Sequence, residues 1–225
     1  MEGSTELSAS RAYRIPIIIA LVIGLVLFLP AGSLRYWEAW IYWLITFAFT
    51  LFIAAYFLKK SPEFLARRSQ FKEKEPQPGV MRILSFLSVL SLLIPGLDYR
   101  FHWSLVPAWA VIVSDAFVFL GFVFIFVVFK ENSYASTIIQ VEQEQRVITT
   151  GPYAIVRHPM YAAVLLISLF TPLALGSYWA LIYFLLAIPV NILRIKKEEE
   201  VLLRDLPGYR DYCLKTRYRL IPAIW

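Results

Sequence analysis

One cysteine, Cys213, and two histidines, His102 and His158, are all the thiol and imidazole that 225 residues offer. A single thiol excludes an internal disulfide and a thiolate zinc cluster, and two imidazoles leave little for a histidine site, so no metal centre is expected. Neither a GxGxxG nor a P-loop occurs, which removes the usual sequence signatures of dinucleotide and nucleoside triphosphate binding. Charge is scarce too: 17% of residues are Asp, Glu, Lys or Arg, against 59% hydrophobic. With a mean hydropathy of +0.63 the chain lies outside the soluble range, and it reads as a polytopic, all-α membrane protein.

The net charge of +6 does not point to nucleic acid, because the basic residues cluster between apolar runs. That distribution follows the positive-inside rule and suits anionic lipid headgroups. Four spans are expected at about 15–30, 37–58, 80–97 and 105–129, forming an N-terminal transmembrane region over 1–129. The basic stretch between the second and third spans should be cytoplasmic, which puts both termini on that side. His102 reads as interfacial, and Asp115 as a cap near the outer end of the fourth span or a pair for Arg100.

Residues 130–225 have a different character. A polar loop, 130–158, leads into an apolar stretch, 159–190, that is interrupted at Thr171-Pro172 and Gly176-Ser177. The stretch is too long for one span, since roughly 20 residues suffice to cross, and reads as a membrane hairpin. Its arms return Tyr161 and Asn191 to the same side, where a basic cytoplasmic tail, 191–225, follows.

Two features of this half could carry chemistry. In GPYAIVRHPMY, Gly151 to Tyr161, Arg157 and His158 precede Pro159 at the start of the hairpin. Proline is well tolerated in a first helical turn, so this pair sits at a helix N-terminus, a place that attracts anions. Tyr153 and Tyr161 are either belt residues or ring partners of a cation. The second feature is a helix beginning near Asn191. Its apolar stripe of Ile192, Ile195, Leu202 and Leu206 passes through Glu199, with Glu198 and Glu200 about 100° to either side. A carboxylate on an apolar face must be paired or neutralised. Glu199 therefore either pairs with a cation such as Arg157 or Lys196, or faces a polar cavity and holds a cationic ligand.

Taken in order, Gly151-Pro152-Tyr153, Arg157-His158-Pro159-Met160-Tyr161, the hairpin, Glu198-Glu199-Glu200, Tyr209, Tyr212 and Leu220-Ile221-Pro222 resemble the isoprenylcysteine carboxyl methyltransferase family, a relative of the membrane phospholipid methyltransferases. The resemblance covers Gln140 to Pro222. It implies S-adenosylmethionine bound without a Rossmann domain, with Gln140, Gln145, Arg146, Val147 and Ile148 lining the cofactor and Tyr153, His158, Pro159, Met160 and Tyr161 completing the pocket. Glu199 matches the family's cofactor-contacting glutamate. Arg194, with Lys196 and Lys197 nearby, matches an arginine that orients a substrate carboxylate. Arg157, Arg194 and Glu199 are thus the residues expected to carry catalysis.

The implied reaction is carboxyl O-methylation of a lipidic or prenylated small molecule or peptide at the membrane surface. Phospholipid N-methylation is the first alternative. A sterol-type membrane reductase and a transporter or structural membrane protein are the others.

Overall fold

The computed structural model describes residues 9–68, 78–135, 139, 141–142 and 145–225. Among these residues the chain is helical, without strands. The long helices are α1 (Ala9–Ala31), α2 (Trp37–Lys60), α4 (Pro78–Phe101), α5 (Ala108–Glu131), α6 (Pro159–Ala174) and α7 (Leu181–Asp205). Two short helices, α3 (Pro62–Arg68) and α8 (Tyr209–Lys215), and a 3-10 turn at Gly151–Ala154 complete the set. The α1, α2, α4 and α5 helices each contain a stretch long and apolar enough to cross a membrane. Only 22% to 33% of their most apolar windows is buried within the protein, so most of that apolar surface faces outward and calls for lipid.

One end of the bundle gathers the turns before α2, after α4 and between α6 and α7. Buried Asp98 ties this end together: its carboxylate accepts from the Ser104 amide at 2.7 Å, from the Ser104 hydroxyl at 2.6 Å and from the Ser177 hydroxyl. The Tyr36 hydroxyl, also buried, donates to the Leu175 carbonyl. Asp115 behaves differently from the sequence expectation. Pro107 occupies the N-cap of α5, so Asp115 is no cap; it is buried, 4% exposed, and neither oxygen has a hydrogen-bond partner among the described residues, Arg100 included.

At the other end lie the C-termini of α2, α5 and α7, the start of α6, and α8. The most extensive helix contact, α5 on α6, positions that start. It depends on Gly121, where an added Cβ would meet Ile167 Cγ1 at 2.5 Å, well inside van der Waals contact. Opposite, α7 differs from expectation in continuity. No helix starts near Asn191; the expected tail helix is the second half of the return arm, because α7 runs on from Leu181 to Asp205 through Pro189, whose missing N–H removes one ladder bond without ending the helix. The arm therefore carries Arg194, Glu198 and Glu199 rigidly from the bundle to its polar end. Gly208, at φ +82°, then reverses the chain so that α8 folds back over the loop at Val147.

Candidate active site

Pro159 opens α6 as its first helical residue, with His158 at the N-cap in a non-helical conformation. The His158 side chain, free of any capping bond, instead turns to α7. Its Nε2 lies 3.2 Å from Glu199 Oε1. The backbone of this segment is held by the C-terminal stretch: the Arg157 amide donates to the Tyr218 carbonyl and the His158 amide to the Arg219 carbonyl, both at 2.9 Å. That clamp delivers Arg219, whose Nε donates to Glu199 Oε2 at 2.7 Å. Arg157 Nε approaches Glu199 Oε1 at 3.2 Å, but off the line needed for a hydrogen bond.

Glu199 is thus the centre of a cationic cage, with its side chain only 6% exposed. Burial pushes its carboxyl upward, but hydrogen bonds from His158 and Arg219 and the charges of His158 and Arg157 outweigh this and hold it below the usual carboxylate range. The helical stripe correctly marks Glu199 as the buried member of the acidic triplet. Glu199 is paired with protein cations and is not among the residues lining the neighbouring cavity.

That cavity measures about 540 Å³ and lies against the cage. Its walls come from Asn132, Tyr134, Ala135, Ile139 and residues in 145–158, with α4, α6, α7 and α8. Gln145, Arg146, Val147, Ile148, Tyr153, Arg157, His158, Pro159, Met160 and Tyr161 all face it. So does Arg194, whereas Lys196 is exposed and Lys197 pairs with Glu200 at 3.1 Å away from the cavity, so of these three cations only the arginine reaches the wall. Gln140 lies outside the described residues.

Among the described residues, the acidic side chain on the wall is Glu198. The hydroxyl of Tyr161 donates to its Oε2 at 2.7 Å, and the same hydroxyl is within reach of Arg194. Leu84 and Ser88 of α4 and Val164 of α6 extend the wall along helices whose outer faces are apolar. The cavity therefore joins a polar boundary layer to the side of the bundle. Tyr153 closes the loop side: its hydroxyl accepts from Asn132 Nδ2 at 2.8 Å, and burial pushes it up to about 12.

Sequence reasoning missed Glu198, Tyr209 and Arg219 as site residues. The spacing of Tyr209 and Tyr212 was a visible signal without an assignable role. Arg219 carried no signal beyond its charge, because its position is set by the backbone pairing with residues 157–158.

Fold and site together define a polytopic helical membrane protein with a ligand-sized, mixed polar and apolar cavity at one end. Residues 109–208, from α5 to the turn after α7, match the model of the phospholipid methyltransferase family, part of the membrane methyltransferase superfamily. A comparison with curated proteins finds no match. The family match and the apolar helices support an integral membrane methyltransferase.

Proposed function

We propose that the chain is an integral membrane methyltransferase that uses S-adenosylmethionine to methylate a lipidic acceptor at the polar end of its bundle. The cavity carries this reading: the stretch matching the phospholipid methyltransferases supplies most of its walls, and its volume lies in the range of small-molecule sites. The residues fit the cofactor. Glu198 suits a positive charge, Arg157 a carboxylate, and Ile139, Val147 and Leu202 an apolar ring. Bound there, S-adenosylmethionine supplies a methyl group on a cationic sulfur that is already a good leaving group.

Positioning and exclusion of water remain for the protein. Tyr161 fixes the Glu198 carboxylate, the His158–Glu199–Arg219 cage fixes the base of the cavity, and the Gln145–Ile148 backbone forms one wall. A boundary site solves a phase problem, since a water-soluble donor enters from one side and a lipid from the other.

Two acceptors are supported by different observations. An ammonium must lose a proton before its nitrogen can attack. Glu198 is the acidic side chain on the described wall, and together with the family match it favours the amine headgroup of a phospholipid. A carboxylate acceptor, as in a prenylcysteine, needs only a cation to steer it, which Arg194 supplies through a planar fork.

Incubating the purified protein with methyl-labelled cofactor and either phosphatidylethanolamine or a farnesylcysteine separates the two by which product carries label. Failure to label either lipid, together with no thermal shift of the folded protein at saturating cofactor, would falsify the methyltransferase reading.

A further inference from the structure

Four of the five tyrosines on the cavity wall, Tyr153, Tyr161, Tyr209 and Tyr212, invite comparison. The hydroxyls of Tyr153, Tyr161 and Tyr212 all have partners: Asn132, Glu198 and the Tyr153 carbonyl, the last at 2.8 Å. Tyr209 is equally buried, 4% exposed, yet its hydroxyl has no hydrogen-bond partner among the described residues. Its ring is well held, packing with Leu206, Tyr212, Val147 and Leu202, and the Gly208 reversal fixes the backbone behind it. A rigid ring on the cavity wall whose buried hydroxyl has no partner is a costly arrangement.

A second unmet donor lies on the same wall. Arg157 Nε is buried and makes no hydrogen bond, because the Glu199 oxygen beside it is off line. Glu199 does not serve Tyr209 either: its oxygens meet His158 and Arg219, and the Tyr209 hydroxyl makes no hydrogen bond to them. The Arg157 guanidinium is ion-paired with Glu199 and its Nη2 donates to the Arg217 carbonyl at 3.5 Å, but its Nε, which can only donate, keeps an unmet N–H.

We propose that the Tyr209 hydroxyl is a ligand-binding donor that acts with Arg157 to hold an oxyanion in the cavity. This rests on the methyltransferase reading. The oxyanion is either the carboxylate of the methyl donor or the phosphodiester of a lipid acceptor, which present the same chemistry to these two donors. The orphaned groups are those that become satisfied when the oxyanion is bound.

Tyr209→Phe tests this in the full-length protein, because it removes one oxygen and keeps the packing ring. Tyr212→Phe is the contrast, since it breaks an existing bond to the Tyr153 carbonyl and should lower the ligand-free Tm. Tyr209→Phe should leave that Tm unchanged or raise it. If the oxyanion is the donor's carboxylate, affinity for S-adenosylhomocysteine falls roughly tenfold or more, the scale of a hydrogen bond to a charged group. Methylthioadenosine, which lacks the amino-acid arm, then binds wild type and variant equally.

If it is the lipid phosphate, S-adenosylhomocysteine binds both proteins equally and the KM for phosphatidylethanolamine rises by a similar factor. Unchanged Kd and KM in the variant overturn the proposal, as does a ligand-free Tm lowered as much as in Tyr212→Phe. A wild-type protein that binds neither nucleoside and methylates no lipid overturns this proposal and the methyltransferase reading together.

Discussion

Arg219 Nε donates to Glu199 Oε2 at 2.7 Å, and this pairing assigns different roles to two adjacent glutamates. Glu199 is held also by His158, while Glu198, whose side chain is 26% exposed, lies on the cavity wall. Successive residues on a helix point about 100° apart, so one turn of α7 serves both cage and cavity.

Glu199→Gln should destabilise the fold. The change leaves Arg157, His158 and Arg219 crowded without their counter-charge, and breaking a buried ionic group typically costs about 3–5 kcal/mol. The Arg219 side chain is about a third exposed, so a loss nearer 2 kcal/mol is expected after solvent screening. Thermal or denaturant unfolding in detergent checks this, and a Tm equal to wild type would remove the cage from the stability of the polar end.

Glu198→Gln should do the reverse. Its loss spares the cage and leaves Tm nearly unchanged, but weakens binding of a cationic donor by roughly 10- to 150-fold, the range of one hydrogen bond to a charged group. Calorimetric titration of wild type and variant with S-adenosylmethionine measures it. Equal affinity would place the ligand's positive charge away from Glu198.

Acid should loosen the polar end through Glu199. Its carboxyl is held below the ordinary value, so the folded state gains stability above the unfolded carboxyl's pKa and loses it as pH falls through the lower folded value. Wild-type Tm should therefore drop as pH falls below the ordinary carboxylate range, more steeply than that of Glu199→Gln, which lacks the titrating group. Parallel Tm-against-pH curves for the two proteins would contradict this.

Gly121→Leu should separate α5 from α6 and displace the start of α6. Overpacking of this kind costs about 1–3 kcal/mol, and the Cβ alone would already meet Ile167 at 2.5 Å. Pairing Gly121→Ala with Ile167→Ala should recover stability lost in Gly121→Ala alone. A double variant no more stable than the single one would show that the Ile167 contact is not the limiting one.

The amino-acid sequence by itself determined the all-helical membrane architecture, the hairpin that returns Tyr161 and α7 to one end, and the burial of Glu199. All three follow from hydrophobic periodicity and run length, which report where a side chain avoids water. The position of Pro159 likewise located the start of α6, because proline's missing N–H is harmless there.

Only the tertiary structure decided what surrounds those positions. Periodicity marked Glu199 as buried but not its partners, since Arg219 reaches it through backbone pairing of residues 157–158 with 218–219, far along the chain. Arg194 was separated from Lys196 and Lys197 by the rotation of α7 against the cavity. Tyr209 stood out only when its neighbours' hydroxyls found partners and its own did not. Hydrogen-bond satisfaction is a property of the assembled neighbourhood, and no local pattern in the chain encodes it.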